Sequence, residues 1–262
     1  MALIIRIPLD VQQLHALAGY YTDGPSLAAC YGLASSIAHG AKIPLIGFGL
    51  VVERYESRLN ECVLAGQSAA FTATDATQPR PVTGYRYGDA KLALYIETEE
   101  VPDYDVEPLL DDIAAEVNGL RFQGGALVQL VSAGNAEGLS LSAAVVSDGF
   151  ELARMLGKEA PLAQAYLKNS AALADSGNQS LVQRYADVLV KDDQAILLCS
   201  GYVQAGVVGG QRVVEPTYTV GRLQPCYVLR KDEAIPAGLY DDFFWRFDAE
   251  LYASATPYFC VS

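Results

Sequence analysis

The sequence predicts an α+β fold, on three observations. Hydrophobic residues make up 51% of the 262 residues, which excludes wholesale disorder and allows a sizeable core. Over the first half of the chain, runs with strand patterning and runs with helical spacing follow one another as strand, helix, strand, strand, helix, strand. The longest apolar runs fall well short of the roughly 20 residues that span a membrane.

Each element has its own signal. Residues 2 to 7 are rich in Ile and Leu and alternate little, which predicts a buried first strand rather than a signal peptide, since the run is broken by Arg6 and Pro8 and lacks a basic start. Tyr20-Tyr21-Thr22-Asp23-Gly24-Pro25-Ser26 then leads through an Asp-Gly-Pro turn into a helix over about 26 to 39, capped by Ser26 or Asp23 and ending at Gly40. Its Ala, Gly and Ser residues suit tight packing on a sheet or on a neighbouring chain. Ile43 to Tyr55 reads as a long strand with two glycines, and Leu64 to Gly84, with Gln78-Pro79-Arg80-Pro81 at its middle, as an exposed loop or hairpin. Tyr85 to Thr98 alternates as a strand, Leu109 to Val117 keeps its apolar residues on one helical face, and Leu120 to Val131 is a strand interrupted by Gly124-Gly125.

This order is that of a ferredoxin-like, RNA-recognition-type domain over residues 1–131. Residues 132–193 read as a helical insertion, with helices over Phe150 to Gly157, Pro161 to Leu173 and Ser180 to Val190. Residues 194–262 form a strand-rich C-terminal part packing on the body, with strands over Ala195 to Val208 and Arg212 to Leu229. An aromatic tail from Leu239 on a helical period docks on the body.

The charge balance narrows the function. Eighteen Lys plus Arg against 31 Asp plus Glu give a net charge of −13, whereas a protein that holds bare nucleic acid by itself is expected to be basic. The acids are unevenly placed: no basic residue occurs between Lys91 and Arg121, where nine Asp and Glu residues fall. Most of that excess is expected on one solvated face. Five scattered cysteines without a Cys-x-x-Cys pair fit reduced thiols, a cytoplasmic setting and no structural zinc. With only His15 and His39, a histidine triad or metal cluster has almost no material, and adjacent carboxylates such as Asp111-Asp112 point about 100 degrees apart on a helix. Neither double glycine belongs to a phosphate loop. The expectation is a protein without catalysis and without a cofactor.

One constellation suits single-stranded RNA. Arg80, Tyr85, Arg86, Tyr87 and Lys91 interleave cation and ring on and before one strand, and Arg121-Phe122 precedes the double glycine on another. Rings stack on bases and guanidinium groups hold phosphates, so this mixture on one sheet or at its edge is what RNA requires. Ordinary strand aromatics with solvated arginines would look the same.

Several short segments resemble a known family. Thr22 to His39, with its Gly-Pro-Ser entry to a small-residue helix, and Gly119-Leu-Arg-Phe-Gln-Gly-Gly-Ala-Leu are similar to motifs of the CRISPR-associated backbone subunit that caps the five-prime handle of the guide RNA in type I-F surveillance complexes. Leu50 to Glu56, Ala90 to Ile96, Gly201-Tyr202, Glu215-Pro216 to Pro225 and the Ser254-Ala-Thr-Pro-Tyr-Phe tail resemble further segments in the same order. The resemblance implies a non-catalytic subunit that binds the five-prime handle, contacts the adjacent repeating backbone subunit and other subunits, and helps place the target DNA duplex, without a membrane. It also implies that Arg121 and the Gly124-Gly125 turn approach the RNA backbone. Tyr21, Ser26 and His39 are the candidates there for contact with RNA or a subunit. The chain is shorter than such subunits at residues 132–193 and more acidic. The acidity motivates a second reading, an acidic relative that does not bind RNA and acts through protein contacts as a decoy inhibitor of complex assembly. A metabolic enzyme on the same fold is the third.

Overall fold

A computed structural model describes residues 1–15, 17–18, 22–58, 87–102, 105–123, 126–130, 140–169, 180–208, 211–247 and 258–260. Its frame is one ten-stranded sheet. The strands are β1 (Ala2–His15), β4 (Gly47–Arg58), β5 (Tyr87–Thr98), β6 (Arg121–Phe122), β7 (Ala126–Leu130), β8 (Ser142–Val146), β9 (Gln164–Lys168), β10 (Ala195–Val208), β11 (Gln211–Pro225) and β12 (Tyr258–Cys260). Their order is β12-β10-β11-β9-β4-β5-β1-β7-β6, with β8 also beside β1, and the pairs along it are antiparallel. Two short strands, β2 (Leu17–Ala18) and β3 (Thr22–Asp23), pair separately. The helices are α1 (Leu27–Gly40), α2 (Val106–Val117), α3 (Gly149–Leu156), α4 (Leu181–Lys191) and α5 (Leu239–Phe243), and a 3₁₀ turn spans Cys226–Arg230. The fold is therefore α+β with an antiparallel sheet, as the element order predicts.

The weak alternation of the first strand follows from burial on both sides. Leu3, Ile5, Ile7, Leu9 and Val11 face α1 and α2, in a core shared with Leu33, Ile37, Ile113, Leu94 and Phe48. Ile4 points the other way, with Val51, Tyr95, Ala165 and Leu167, against Leu152 and Leu156 of α3 and Phe243 of α5. A strand covered on both faces loses the period-two polar signal. Arg6 sits on this second face, 5% exposed, and its guanidinium donates to both oxygens of Glu159, at 2.5 and 2.7 Å. The Tyr95 hydroxyl also donates to Glu159. Burial lowers the affinity of Arg6 for its proton, but the Glu159 carboxylate more than offsets it, so Arg6 holds its proton more tightly than a free arginine.

Three predicted elements are corrected. Residues 164–168, expected within a helix, form β9, which joins β4 to β11. Ala163, Ala165 and Leu167 are buried in alternation, and pairing on both edges overrides the helical propensity of Ala, Gln, Leu and Lys. The segment read as helical thus also supplies strands. The strand expected to run to Leu229 ends at Pro225, where the 3₁₀ turn begins. Among the described residues of the tail only Leu239–Phe243 is helical; Phe244 and Trp245 then enter the two opposite cores, a strand-like alternation, and Trp245 exchanges backbone hydrogen bonds with Phe48.

The acidic excess lies where its clustering suggests. Asp105, Glu107, Asp111, Asp112 and Glu116 are exposed on α2 and its N-cap; Glu107, Asp111 and Asp112 lie away from the buried Leu109, Ile113 and Val117, while Glu116 flanks that buried face with its carboxyl against Gly40 of α1. Among the described residues no ion pair involves this helix.

Candidate nucleic-acid interface

The site assembles around the start of α1. Gly24 holds φ at +123°, a region that glycine alone enters without strain, and the turn it makes delivers Ser26 as the helix N-cap. The Ser26 hydroxyl accepts from the Ala29 backbone N–H at 3.5 Å and donates to the Cys199 carbonyl of β10 at 3.3 Å. The Gln123 amide, just past β6, completes the arrangement: its oxygen accepts from Ser26 N at 2.6 Å and its nitrogen donates to Gly24 O at 2.9 Å. One side chain thus satisfies a donor and an acceptor of a turn 97 residues away.

Sheet order makes this contact informative. β6 ends the sheet on one side and β10 stands one strand from the other end, yet both reach Ser26. The sheet therefore curls around α1 until its opposite ends meet over the helix N-terminus, which accords with Leu198 of β10 lying in the α1 core. Beside Ser26, β10 carries a register shift between Cys199 and Gly201, and Gly201, Tyr202 and Val203 pair with Cys260, Phe259 and Tyr258 of β12. Tyr202 is 40% exposed, and burial together with the neighbouring Cys199 raises the pKa of its hydroxyl.

The predicted site residues fall into three groups. Ser26 is in the site, but as a buried cap, 3% exposed, rather than as a presented contact. Arg121 is exposed on β6, one residue from the core-facing Phe122 and two from Gln123. Phe122 is 3% exposed and packs in the α1 core, so a base-stacking role for it is corrected: in a two-residue strand alternate side chains take opposite faces, and Arg121 has the outer one. His39 is exposed in the last turn of α1, at the far end of the helix from Ser26. Lys91 lies on the second face of the sheet, level with Asp10 on β1 and Arg54 on β4, in a strip that also holds Glu56 and Asp89. The cations there interleave with carboxylates, and Arg54 pairs with Glu56 at 3.5 Å. Tyr87 opens β5 opposite His15 and Arg58. Arg80, Tyr85, Arg86, Tyr21, Gly124 and Gly125 lie outside the described residues.

Sequence reasoning missed Gln123, whose partners are remote in the chain, and a charged group at the start of β4. There Glu97, 4% exposed, accepts from the Tyr240 hydroxyl at 2.8 Å and from Arg246 Nη2 at 3.3 and 3.4 Å. Lys168 stands nearby, 6.0 Å above the Trp245 ring, its proton affinity lowered by burial and by Arg246 and partly restored by Asp242 and Asp241. Only the aromatic density of the 239–247 tail hinted at it. Among the described residues no three His, Cys, Asp or Glu side chains gather as metal ligands would, and no helix is long and apolar enough to cross a membrane.

Neither a family model nor a curated protein matches the chain. Among solved structures, a CRISPR protein from Archaeoglobus fulgidus is similar at 10% sequence identity and a TM-score of 0.32, over 85% of this chain and 92% of that one.

Proposed function

We propose that the chain is a non-catalytic RNA-binding subunit of a type I-F-like CRISPR interference complex, gripping the five-prime handle of the guide and contacting the adjacent backbone subunit. One observation carries the reading. Of the segments on which the family resemblance rests, Thr22 to His39 and Gly119 to Leu127 meet at the α1 N-terminus through the Gln123 bonds, and Gly201-Tyr202 follows Cys199, which Ser26 bonds, and pairs with the end of the Ser254-to-Phe259 tail; Leu50 to Glu56, Ala90 to Ile96 and Glu215 to Pro225 lie elsewhere in the sheet. The order β4-β5-β1-β7 with two helices on one face supports the ferredoxin-like assignment for the first half, a fold that serves many functions and adds modestly to the case for RNA. Because α3 and α5 cover the second face at its centre, RNA binds at the sheet edge that carries Arg121 rather than across the sheet.

The second reading, a decoy that blocks assembly without binding RNA, draws on the exposed acidic face of α2, which presents carboxylates to a basic partner much as a phosphate backbone does. Both are tested by purifying the tagged chain from its native host, identifying co-purifying proteins and sequencing bound RNA. Short RNAs with one shared five-prime handle are expected, and Arg121→Ala combined with Arg86→Ala reduces their retention. The same protein partners without RNA establish the decoy. Neither RNA nor such partners overturns both.

A further inference from the structure

Four of the basic residues of this acidic chain gather at one place away from the α1 N-terminus. Arg154 lies in the last turn of α3 and Lys158 just past it, about 6 Å further along the axis, and both are exposed. The exposed Arg230, which ends the 3₁₀ turn, reaches the same point: its Nε donates to the Gly157 carbonyl at 2.6 Å and its Nη2 to the Glu159 carbonyl at 3.3 Å. Those carbonyls flank Lys158, so Arg230 is held beside it. Lys231, also exposed, comes next in the chain. Among the described residues no carboxylate pairs with any of the four. Glu151 is engaged by Ser147 and the Glu159 carboxylate by Arg6, which leaves Asp232 and Glu233 as the exposed acids that follow.

A ring stands beside these cations. Side chains three apart in a 3₁₀ turn lie one above the other, so Tyr227 is on the same side as Arg230, away from the buried Cys226 and Leu229. Tyr227 is 53% exposed, and among the described residues no other ring packs on it. The helix dipole accounts for Arg154 in the last turn of α3. It does not account for Lys158 four residues on, since like charges at that spacing repel, nor for Arg230 drawn to the same turn. An anion among them relieves that repulsion, and the ring selects the kind of anion. Free phosphate gains nothing from Tyr227, whereas a single nucleic-acid strand brings phosphates to the cations and a base to the ring.

We infer that the outer side of α3 and the 3₁₀ turn bind a single nucleic-acid strand, with Arg154, Lys158, Arg230 and Lys231 on its phosphates and a base stacked on Tyr227. This surface is apart from the Arg121 edge, since α3 covers the centre of the second face and β6 ends the sheet. That the strand is guide RNA or target DNA rests on the function proposed above, but its binding does not. The intact protein is titrated into fluorescein-labelled decauridylate and, separately, decathymidylate, and anisotropy is followed from about 50 to about 200 mM salt. A net charge of −13 repels such a strand, so binding requires a local cluster of cations. Saturable binding is expected, with log affinity falling against log salt at a slope of about −2 to −3, at roughly −0.7 per phosphate contact. Arg154→Gln combined with Lys158→Gln, exposed changes that keep chain length and helical propensity, weakens binding roughly tenfold and makes the slope shallower by about 1.4. Tyr227→Ala weakens it roughly tenfold at an unchanged slope. Binding of either strand supports the site, and the tighter of the two identifies its source. No saturable binding, an unaltered slope in the double variant, or full affinity in Tyr227→Ala overturns the inference. Loss of all binding in Arg121→Ala alone would sink this surface and leave the Arg121 edge standing. Binding here by a chain that retains no RNA in its host would sink the functional reading alone.

Discussion

At Gln123 one amide group does two jobs that no other side chain of its size can do together, accepting from Ser26 N and donating to Gly24 O. Gln123→Ala should cost about 1–3 kcal/mol by losing two partly buried hydrogen bonds. Gln123→Glu should cost at least as much, because a carboxylate still accepts from Ser26 but sets an oxygen against the Gly24 carbonyl. Urea unfolding gives the size, and amide hydrogen exchange at Ser26 gives the place; a Glu variant as stable as the parent would remove the clamp from the account. Much of this site was legible residue by residue. The Asp-Gly-Pro-Ser turn announces the cap, and Ser26 fills that place. Gln123 was illegible because its partners lie 97 residues upstream, and Phe122 misled because a ring next to an arginine looks the same whether it faces solvent or core.

Among the elements, α2 carries its sequence signature openly, with apolar residues inward and Glu107, Asp111 and Asp112 outward. Glu107 and Asp111 are one turn apart and repel, and the last turn has no basic residue to meet the helix dipole. Asp111→Lys replaces that repulsion with a Glu-to-Lys pair in the favourable direction, and should stabilise the protein by about 0.5–1 kcal/mol in urea or thermal unfolding. A destabilised variant would mean that the acids have partners of their own. Under the decoy reading the same change weakens capture by a basic partner, so stability and binding move in opposite directions. β9 shows the other limit of legibility. Its Gln-Ala-Tyr-Leu-Lys sequence has helical propensity, and only its place between β4 and β11 makes it a strand. The β6–β7 hairpin was read as one interrupted strand because a double glycine marks a break without saying whether the chain goes on or turns back.

Across the whole molecule, the buried acids point to one weakness, at alkaline pH. Burial pushes the Cys226 thiol up from 9.0 to about 12, helped by the nearby Glu159 carboxylate, and burial raises Cys30 as well. Tyr95 is raised by burial and Glu159, Tyr240 by burial and its bond to Glu97. Each group keeps its proton in the folded state at a pH where the unfolded chain has released it. The folded state then binds more protons, so stability is fully present below about pH 9 and falls as pH rises toward the folded values. Each of the two thiols adds a slope of about 1.4 kcal/mol per pH unit in that window. The urea midpoint should hold between pH 7 and 8.5 and drop steeply by pH 10.5, less so in Cys226→Ala; a midpoint flat to pH 11 would contradict the assignment. The charge of −13 predicted an acidic surface, but not that the neutral acids inside would set the alkaline limit.

The curl that brings both ends of the sheet to Ser26 also orders events in time. During synthesis the helix and its cap emerge early, but the bonding partners of Ser26 follow 97 and 173 residues later. At about 5–20 residues per second the second of them arrives on the order of ten seconds after the first part of the site has left the ribosome. Until Gln123 arrives the Gly24–Ser26 turn has neither end of the closing sheet, and from then until Cys199 it has only the first. A nascent or prematurely ended chain that stops short of β10 would carry the motif without the assembled surface, so under the proposed function a partner that binds this surface would discriminate such chains from those that include β10.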